Sequence, residues 1–118
     1  MDKQKIIPFQ IEKPWGNFRQ FTHNMSSTVK ILTVKKDEQL SLQSHEKRAE
    51  FWKVIDGDGL LELDGVKRYI KKGDEIDIPI KAKHRIIAGP LGIKVLEIAV
   101  GDFDENDIIR YEDKYGRI

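Results

Sequence analysis

Turn-forming residues recur along this chain at intervals too short for helices, and this spacing constrains the fold more than any other feature. Apolar runs alternate with turn-forming Gly and Asp residues, as at Gly57-Asp58-Gly59, Asp64-Gly65 and Gly73-Asp74. Residues 29–35 (VKILTVK) and 75–80 (EIDIPI) are rich in the β-branched side chains that pack well on a pleated sheet. Short strands joined at such intervals predict an antiparallel all-β sandwich or barrel.

The turn signals divide the chain into a series of expected strands. We expect a hairpin at Gly57–Gly59 and a further turn at residues 89–92. In the last strand, Val95 and Glu97 should share one face, because successive side chains of a strand alternate. The expected strands are residues 17–23, 29–35, 40–45, 51–56, 60–64, 66–70, 75–80, 84–88 and 93–100.

Both ends of the chain carry signals of their own. Ile6–Ile11 is a short apolar stretch broken by a proline, which predicts an arm or edge strand within residues 1–12. Trp15 lies in the turn-forming sequence KPWG, and we expect it to plug one end of the barrel. Residues 104–118 should form a short helical or irregular tail, with Asp104 as the N-cap of a helix ending at Tyr111.

The composition limits the classes of function. The 118 residues fit a single domain spanning 1–118. Lys and Arg number 21 against 20 Asp and Glu, and a balance of this kind indicates neither nucleic-acid nor membrane binding. There are no cysteines, which excludes disulfides and thiolate metal sites. The chain also shows no signal peptide and no apolar span, and we expect a cytoplasmic protein.

The segment QSHEKRAEFW, residues 43–52, contains most of the candidate metal-binding side chains. Gln43 and His45 are two residues apart on an expected strand, so their side chains point the same way. Glu50 follows after a short loop, and His84 opens a later strand. One amide oxygen, two imidazoles and one carboxylate would form a mixed nitrogen and oxygen site for a divalent ion.

This order of residues resembles the two motifs of the cupin family. The first motif has a His or Gln, a His two residues on, a Glu and then a Gly, which here are Gln43, His45, Glu50 and Gly57. His84 matches the second motif. The resemblance implies a cupin double-stranded β-helix, or jelly-roll barrel.

Within the cupins, the chain resembles the type II phosphomannose isomerases, a branch in which Gln stands at the first ligand position. This branch includes the isomerase domain fused to mannose-1-phosphate guanylyltransferase. No nucleotidyltransferase domain precedes the motifs here, so we do not expect guanylyl transfer. The resemblance covers residues 13–117 and is carried by segments 13–18 (KPWGNF), 40–52 (LSLQSHEKRAEFW), 78–86 (IPIKAKHRI) and 105–117 (ENDIIRYEDKYGR).

The resemblance implies interconversion of mannose 6-phosphate and fructose 6-phosphate, with one divalent ion on the four ligands. Zn is the favoured ion, and Mn, Co, Fe and Ni are alternatives. Moving a carbonyl between C1 and C2 needs a proton shuttle, for which Glu97 and Lys35 are the candidates. The metal ligands that the resemblance implies are Gln43, His45, Glu50 and His84.

A sugar phosphate also needs cationic partners, and guanidinium groups match phosphate geometry. The candidates, all within segments that resemble the family, are Arg48, Arg85, Arg110 and Arg117. We expect a homodimer, paired through the apolar arm at Ile6–Ile11. Two other functions stay open: a non-catalytic sugar-binding cupin, and a different enzyme on the same fold.

Overall fold

The computed structural model describes residues 5–118, and all of their regular secondary structure is β-strand. Residues 1–4 of the expected N-terminal arm lie outside the described residues. None of the described residues forms a helix long and apolar enough to cross a membrane. The strands are β1 (Phe9–Lys13), β2 (Gly16–Gln20), β3 (Ser27–Val34), β4 (Leu42–Ser44), β5 (Ala49–Leu63), β6 (Val66–Lys71), β7 (Glu75–Ile78), β8 (His84–Val100) and β9 (Ile109–Glu112).

The long strands β5 and β8 run through two antiparallel layers and join them. The first half of β5 and the second half of β8 form one layer with β3 and β7. The remaining halves form the other layer with β6, β4 and β9. This arrangement confirms the predicted all-β fold. The buried residues of the main core are Val34, Trp52, Val54, Leu61, Ile70, Ile76, Ile78, Ala82, Ile86, Ala88, Ile93 and Val95.

Glycines permit close contact between β5 and β8 where the two layers meet. Gly59 pairs with Ala88. Gly57 pairs with Ile93, so residues 89–92 bulge out of β8 between the two pairs. A Cβ atom on Gly57 would clash with the backbone carbonyl oxygen of Gly92 in β8. The predicted hairpin at Gly57–Gly59 is therefore wrong: β5 continues through it, because the missing Cβ atoms let the two backbones approach.

β1 and β2 form a separate two-stranded hairpin. All five residues of β1 are exposed. The hairpin is held to β7 by Arg19, which donates two hydrogen bonds to the carboxylate of Glu75, at 2.7 and 2.6 Å. Trp15 lies in the turn between the two strands and is 73% exposed. The prediction that it plugs the barrel is wrong, because the indole lies on this exposed turn.

The C-terminal segment is extended where a helix was predicted. Asp107 donates its backbone N–H to the carbonyl oxygen of Asp104, which closes a single turn. The chain then continues as β9, which pairs with β4. The helix prediction is wrong, because pairing with the edge of β4 satisfies backbone groups that a helix would have satisfied internally.

Candidate metal centre

Successive side chains of β5 alternate between the two faces of the strand, and the face directed at the space between the layers carries both polar and apolar residues. Glu50, Trp52 and Val54 are all buried, and they share one face of the strand. Glu97 of β8 lies directly opposite Trp52. Lys30 of β3 lies opposite Glu97 on its other side. Since paired residues of antiparallel strands share a face, the register places Lys30, Glu97 and Trp52 in one row that crosses the layer.

The second layer brings the histidines to this row. His45 directly follows β4, and His84 is the first residue of β8. Gln43 of β4 pairs with His84. His45, Glu50 and His84 are all buried, and each offers one ligand atom that lies within 4.8 Å of the other two. The structure thus brings together three of the four predicted metal ligands, with Gln43 beside them.

Backbone carbonyl groups fix the orientation of both imidazoles. His84 Nδ1 lies 2.9 Å from the carbonyl oxygen of Ala82, and His45 Nδ1 lies 2.7 Å from that of Asp107. A carbonyl oxygen can only accept, so each Nδ1 carries the proton and each Nε2 presents a lone pair when the ring is neutral. Metal-binding histidines are oriented by outer partners of this kind.

Both Nε2 atoms face the carboxylate of Glu50. The distances from Glu50 are 3.5 Å to His45 Nε2 and 3.8 Å to His84 Nε2. Among residues 5–118, His84 Nε2 has no hydrogen-bond partner, although it is buried. Burial lowers the pKa of His84, which favours the neutral ring. His45 Nε2 also lies 3.4 Å from Arg48 Nη2. The lone pair of His84 Nε2 and the carboxylate oxygen that it faces repel each other unless a cation lies between them, so the donor set fits a divalent ion.

The carboxylate of Glu50 is fixed in turn by two donors. Arg48 Nε donates to it at 2.9 Å, and Trp52 Nε1 donates at 3.2 Å. Burial opposes the charge on Glu50. Its pKa is nevertheless lowered, because the hydrogen bond from Glu97, the neighbouring imidazoles of His45 and His84 and the hydrogen bond from Arg48 together outweigh burial. Glu50 is therefore a preorganised anion at the centre of the cluster.

Glu97 is the protonated partner of Glu50. Burial, together with its hydrogen bond to Glu50 and the charge there, raises the pKa of Glu97 to about 9. Two carboxyl groups in contact share one proton, because both cannot ionise at low cost. Lys30 lowers the pKa of Glu97 without offsetting these effects. The site thus holds two adjacent carboxyl groups. Glu50 is ionised and suited to bind a metal ion, and Glu97 is protonated and suited to acid–base chemistry.

These groups line a cavity of about 280 Å³. That volume is near the lower end of ligand pockets and suits a small ligand. Lys35 and Arg85 do not line it: Lys35 is exposed, and Arg85 pairs with Glu62. The sequence-predicted residues that do line it are Gln43, His45, Arg48, Glu50, His84, Glu97, Arg110 and Arg117.

Sequence reasoning missed two charged residues of the cavity, Lys30 and Glu105. Lys30 Nζ lies 2.6 Å from a carboxylate oxygen of Glu105. Lys30 lies on the same face of β3 as Leu32 and Val34, but the other face is also apolar, so the alternation of β3 does not identify the inward face. Glu105 lies in a loop after β8, where no periodicity indicates its direction.

Comparisons with known proteins identify the family of the chain. The family model described as mannose-6-phosphate isomerase C-terminal matches residues 2–113. Mannose-1-phosphate guanylyltransferase ManC of Salmonella typhimurium is 32% identical over 111 residues, which are 92% of this chain and 23% of ManC. The alginate biosynthesis protein AlgA of Pseudomonas aeruginosa is 34% identical over 110 residues, again 92% of this chain and 23% of the relative. The chain thus spans about a quarter of the length of these relatives.

A solved structure shows the same fold. A cupin-2 domain from Rhodospirillum rubrum superposes with a TM-score of 0.63 at 15% identity, covering 86% of this chain and 78% of that domain. At this identity the likeness concerns the fold alone, whereas the family model covers nearly the whole sequence. The chain has a cupin fold and belongs to the mannose-6-phosphate isomerase C-terminal family.

Proposed function

We propose that this domain is a metal-dependent aldose–ketose isomerase that interconverts mannose 6-phosphate and fructose 6-phosphate. The observation that carries the proposal is the convergence of His45 Nε2 and His84 Nε2 on the carboxylate of Glu50. This cluster lies in a cavity that also holds an acid–base carboxyl and several cationic side chains. The family to which the chain belongs supports the choice of reaction.

The metal would be held by His45, Glu50 and His84, with the neutral amide oxygen of Gln43 as a fourth ligand. Two imidazoles and oxygen donors favour Zn, with Mn, Co, Fe and Ni as alternatives. The bound ion supplies a Lewis acid that polarises the carbonyl oxygen of the sugar. Arg48 and Trp52 keep the Glu50 carboxylate in place through their hydrogen bonds.

Glu97 is the residue that we assign to proton transfer. Isomerisation of the aldose removes a proton from C2 and returns one to C1, while the hydroxyl proton passes from O2 to O1. One carboxylate oxygen on the same face of the sugar can carry out both steps at carbon. Glu97 lies in the cavity next to Glu50. A cation on Glu50 would oppose the proton that Glu97 holds in the metal-free site, which leaves Glu97 available as the base.

Arg110 is the phosphate-binding residue that the contacts favour. Arg48 is engaged with Glu50, and Arg117 with Asp113. Arg110 also lines the cavity, and within residues 5–118 its buried Nε has no hydrogen-bond partner. A buried guanidinium N–H without a partner is available to donate a hydrogen bond to a phosphate oxygen.

The test is a coupled isomerase assay on purified protein, in both directions, for the wild type and for Glu97→Gln. We expect turnover by the wild type, and a loss of about 100-fold to 10,000-fold in kcat for Glu97→Gln with metal content unchanged. Glu112→Gln is the matched control, since this carboxylate lies on exposed β9. It should keep full activity.

Two results would count against the proposal. If folded and metal-loaded wild type bound the sugar phosphates without turnover, the domain would be a sugar-binding cupin. If Glu97→Gln turned over at the wild-type rate, proton transfer would belong to another group.

A further inference from the structure

Asp107 makes three contacts with His45 and the loop that follows it. Its carboxylate accepts hydrogen bonds from the backbone N–H groups of Glu46, at 2.9 Å, and Lys47, at 3.0 Å. Its backbone carbonyl oxygen accepts the Nδ1–H of His45 at 2.7 Å. A single residue of the C-terminal segment therefore holds both the imidazole and the backbone that directly follows it.

The turn that contains Asp107 also holds Arg48. The carbonyl oxygen of Asp104 accepts a hydrogen bond from Arg48 Nη1 at 3.0 Å and another from the backbone N–H of Asp107 at 3.0 Å. Arg48 in turn donates to Glu50. Two members of the buried cluster, His45 and Glu50, are thus supported from one short turn outside the barrel.

We propose that Asp107 is a positioning residue for the metal centre. Its carboxylate anchors the backbone at Glu46 and Lys47, and this keeps its own carbonyl oxygen in place to orient the His45 ring. The inference rests on the proposed function, because it treats His45 as a metal ligand.

The physical consequence concerns the tautomer and the rotation of His45. With Nδ1–H bound to a carbonyl oxygen, the neutral ring must present Nε2 as a lone pair. Without the anchored carbonyl, the ring can rotate, and the proton can move to Nε2, where it blocks coordination. Partners of this kind, outside the ligands themselves, change metal affinity by about 10-fold to 100-fold when they are removed.

The first measurement is the affinity of the full chain for Zn²⁺, by competition with a chromophoric chelator. The variants are Asp107→Ala, which removes both side-chain oxygens that accept from Glu46 and Lys47, and Asp107→Asn, which keeps one side-chain oxygen. Both variants keep the backbone carbonyl group. Asp113→Ala is the matched control, since its carboxylate also accepts backbone N–H groups, from Tyr115 and Arg117, in the same segment. We expect a loss of about 10-fold to 100-fold for Asp107→Ala, a smaller loss for Asp107→Asn and less than about 3-fold for Asp113→Ala.

The second measurement reads the His45 tautomer in metal-free protein, from long-range ¹H–¹⁵N correlations. The wild type should show the Nδ1–H form, and Asp107→Ala a mixture or the Nε2–H form. A residue with a purely structural role would leave this signature unchanged.

The outcomes separate this inference from the proposed function. Wild-type Zn²⁺ affinity in both Asp107 variants, or an unchanged tautomer, would overturn the role of Asp107. If Asp107→Ala does not fold, Asp107→Asn decides by the same criteria. If the wild type binds no divalent metal, the proposed metal centre is wrong. The tautomer measurement still tests whether Asp107 orients the His45 ring.

Discussion

At the residue scale, the sequence predicted the residues that form the candidate metal centre, but not the groups that orient its two histidines. Gln43, His45, Glu50 and His84 were found from residue types in a recognisable order. The acceptors of the two histidines are backbone carbonyl groups, of Ala82 and Asp107. Any residue type can supply a carbonyl oxygen, so the sequence contains no signal for them.

The sequence also did not show which lysine near β3 reaches the cavity. β3 carries apolar side chains on both faces, Val29 and Ile31 on one and Leu32 and Val34 on the other. An alternating pattern identifies the buried face only when the other face is polar. The sequence therefore did not indicate that Lys30, on the face of Leu32 and Val34, reaches the cavity while Lys35 does not.

The first prediction concerns Arg110. Replacing Arg110 with Ala should raise KM for mannose 6-phosphate by about 10-fold or more, because a charged hydrogen-bond donor to phosphate contributes about 1.5–3 kcal/mol. Arg85→Ala is the control, since Arg85 lies outside the cavity and pairs with Glu62. Steady-state kinetics with both variants is the check. Equal KM values would show that Arg110 does not hold the phosphate.

At the element scale, the glycines between the layers explain why the strand positions could be predicted while their connection could not. The segments on either side of Gly57–Gly59 were expected as two strands of a hairpin, yet both belong to β5. Gly and Asp residues are typical of tight turns. Local residue types cannot distinguish a turn from a place where another backbone passes closely, and here the passing strand is β8.

The second prediction follows from this crossing. Gly57→Ala should lower the free energy of unfolding by more than the roughly 1–2 kcal/mol that a positive φ costs an L-residue, because the new Cβ would also meet a backbone carbonyl. Gly65→Ala is the matched control, with φ +84° and open space around its Cβ position. Denaturant unfolding of both variants measures the difference. Equal losses would contradict a steric role for Gly57.

The third prediction concerns the pH dependence of hairpin docking. The hydrogen bond from Arg19 lowers the pKa of Glu75 below its ordinary value of 4.5. A carboxyl group whose pKa is lowered on folding stabilises the folded state at pH values above its ordinary pKa. This stabilisation is lost as the pH falls through the lowered pKa. Protection of the β2 backbone amides against hydrogen exchange should therefore fall below about pH 4.5 in the wild type.

The control for this prediction is Glu75→Gln, which should show weaker protection with little change between pH 3 and pH 6. Protection that falls equally in both proteins would show that another group controls docking. Opening rates must be normalised for the intrinsic pH dependence of exchange.

At the scale of the whole molecule, the β1–β2 hairpin carries an apolar face whose side chains are partly exposed. Ile11 and Phe18 are paired across the hairpin and share this face, and both are exposed. Arg19 lies on the opposite face and binds Glu75 of the barrel. A two-stranded hairpin is marginally stable by itself, so an apolar face directed away from the barrel favours association.

The fourth prediction is that a second copy of the chain covers this face. Phe18→Glu should convert a dimer to a monomer, because it buries a charge in the expected interface. Val66→Glu is the control, since Val66 is an exposed apolar residue at the start of β6, away from the hairpin. Light scattering after size-exclusion chromatography measures the mass. A wild-type monomer, or a dimer that survives Phe18→Glu, would contradict this arrangement.

The central claim is that one divalent ion on His45, Glu50 and His84 makes this cavity an isomerase. Its most direct test is to strip the protein of metal, titrate Zn²⁺ back, and measure turnover of mannose 6-phosphate at each step. We predict that turnover rises linearly and stops rising at one ion per chain, and that His84→Ala, which removes the ligand, stays inactive throughout although it remains folded. Full turnover in the stripped protein, or wild-type activity in His84→Ala, would contradict the claim.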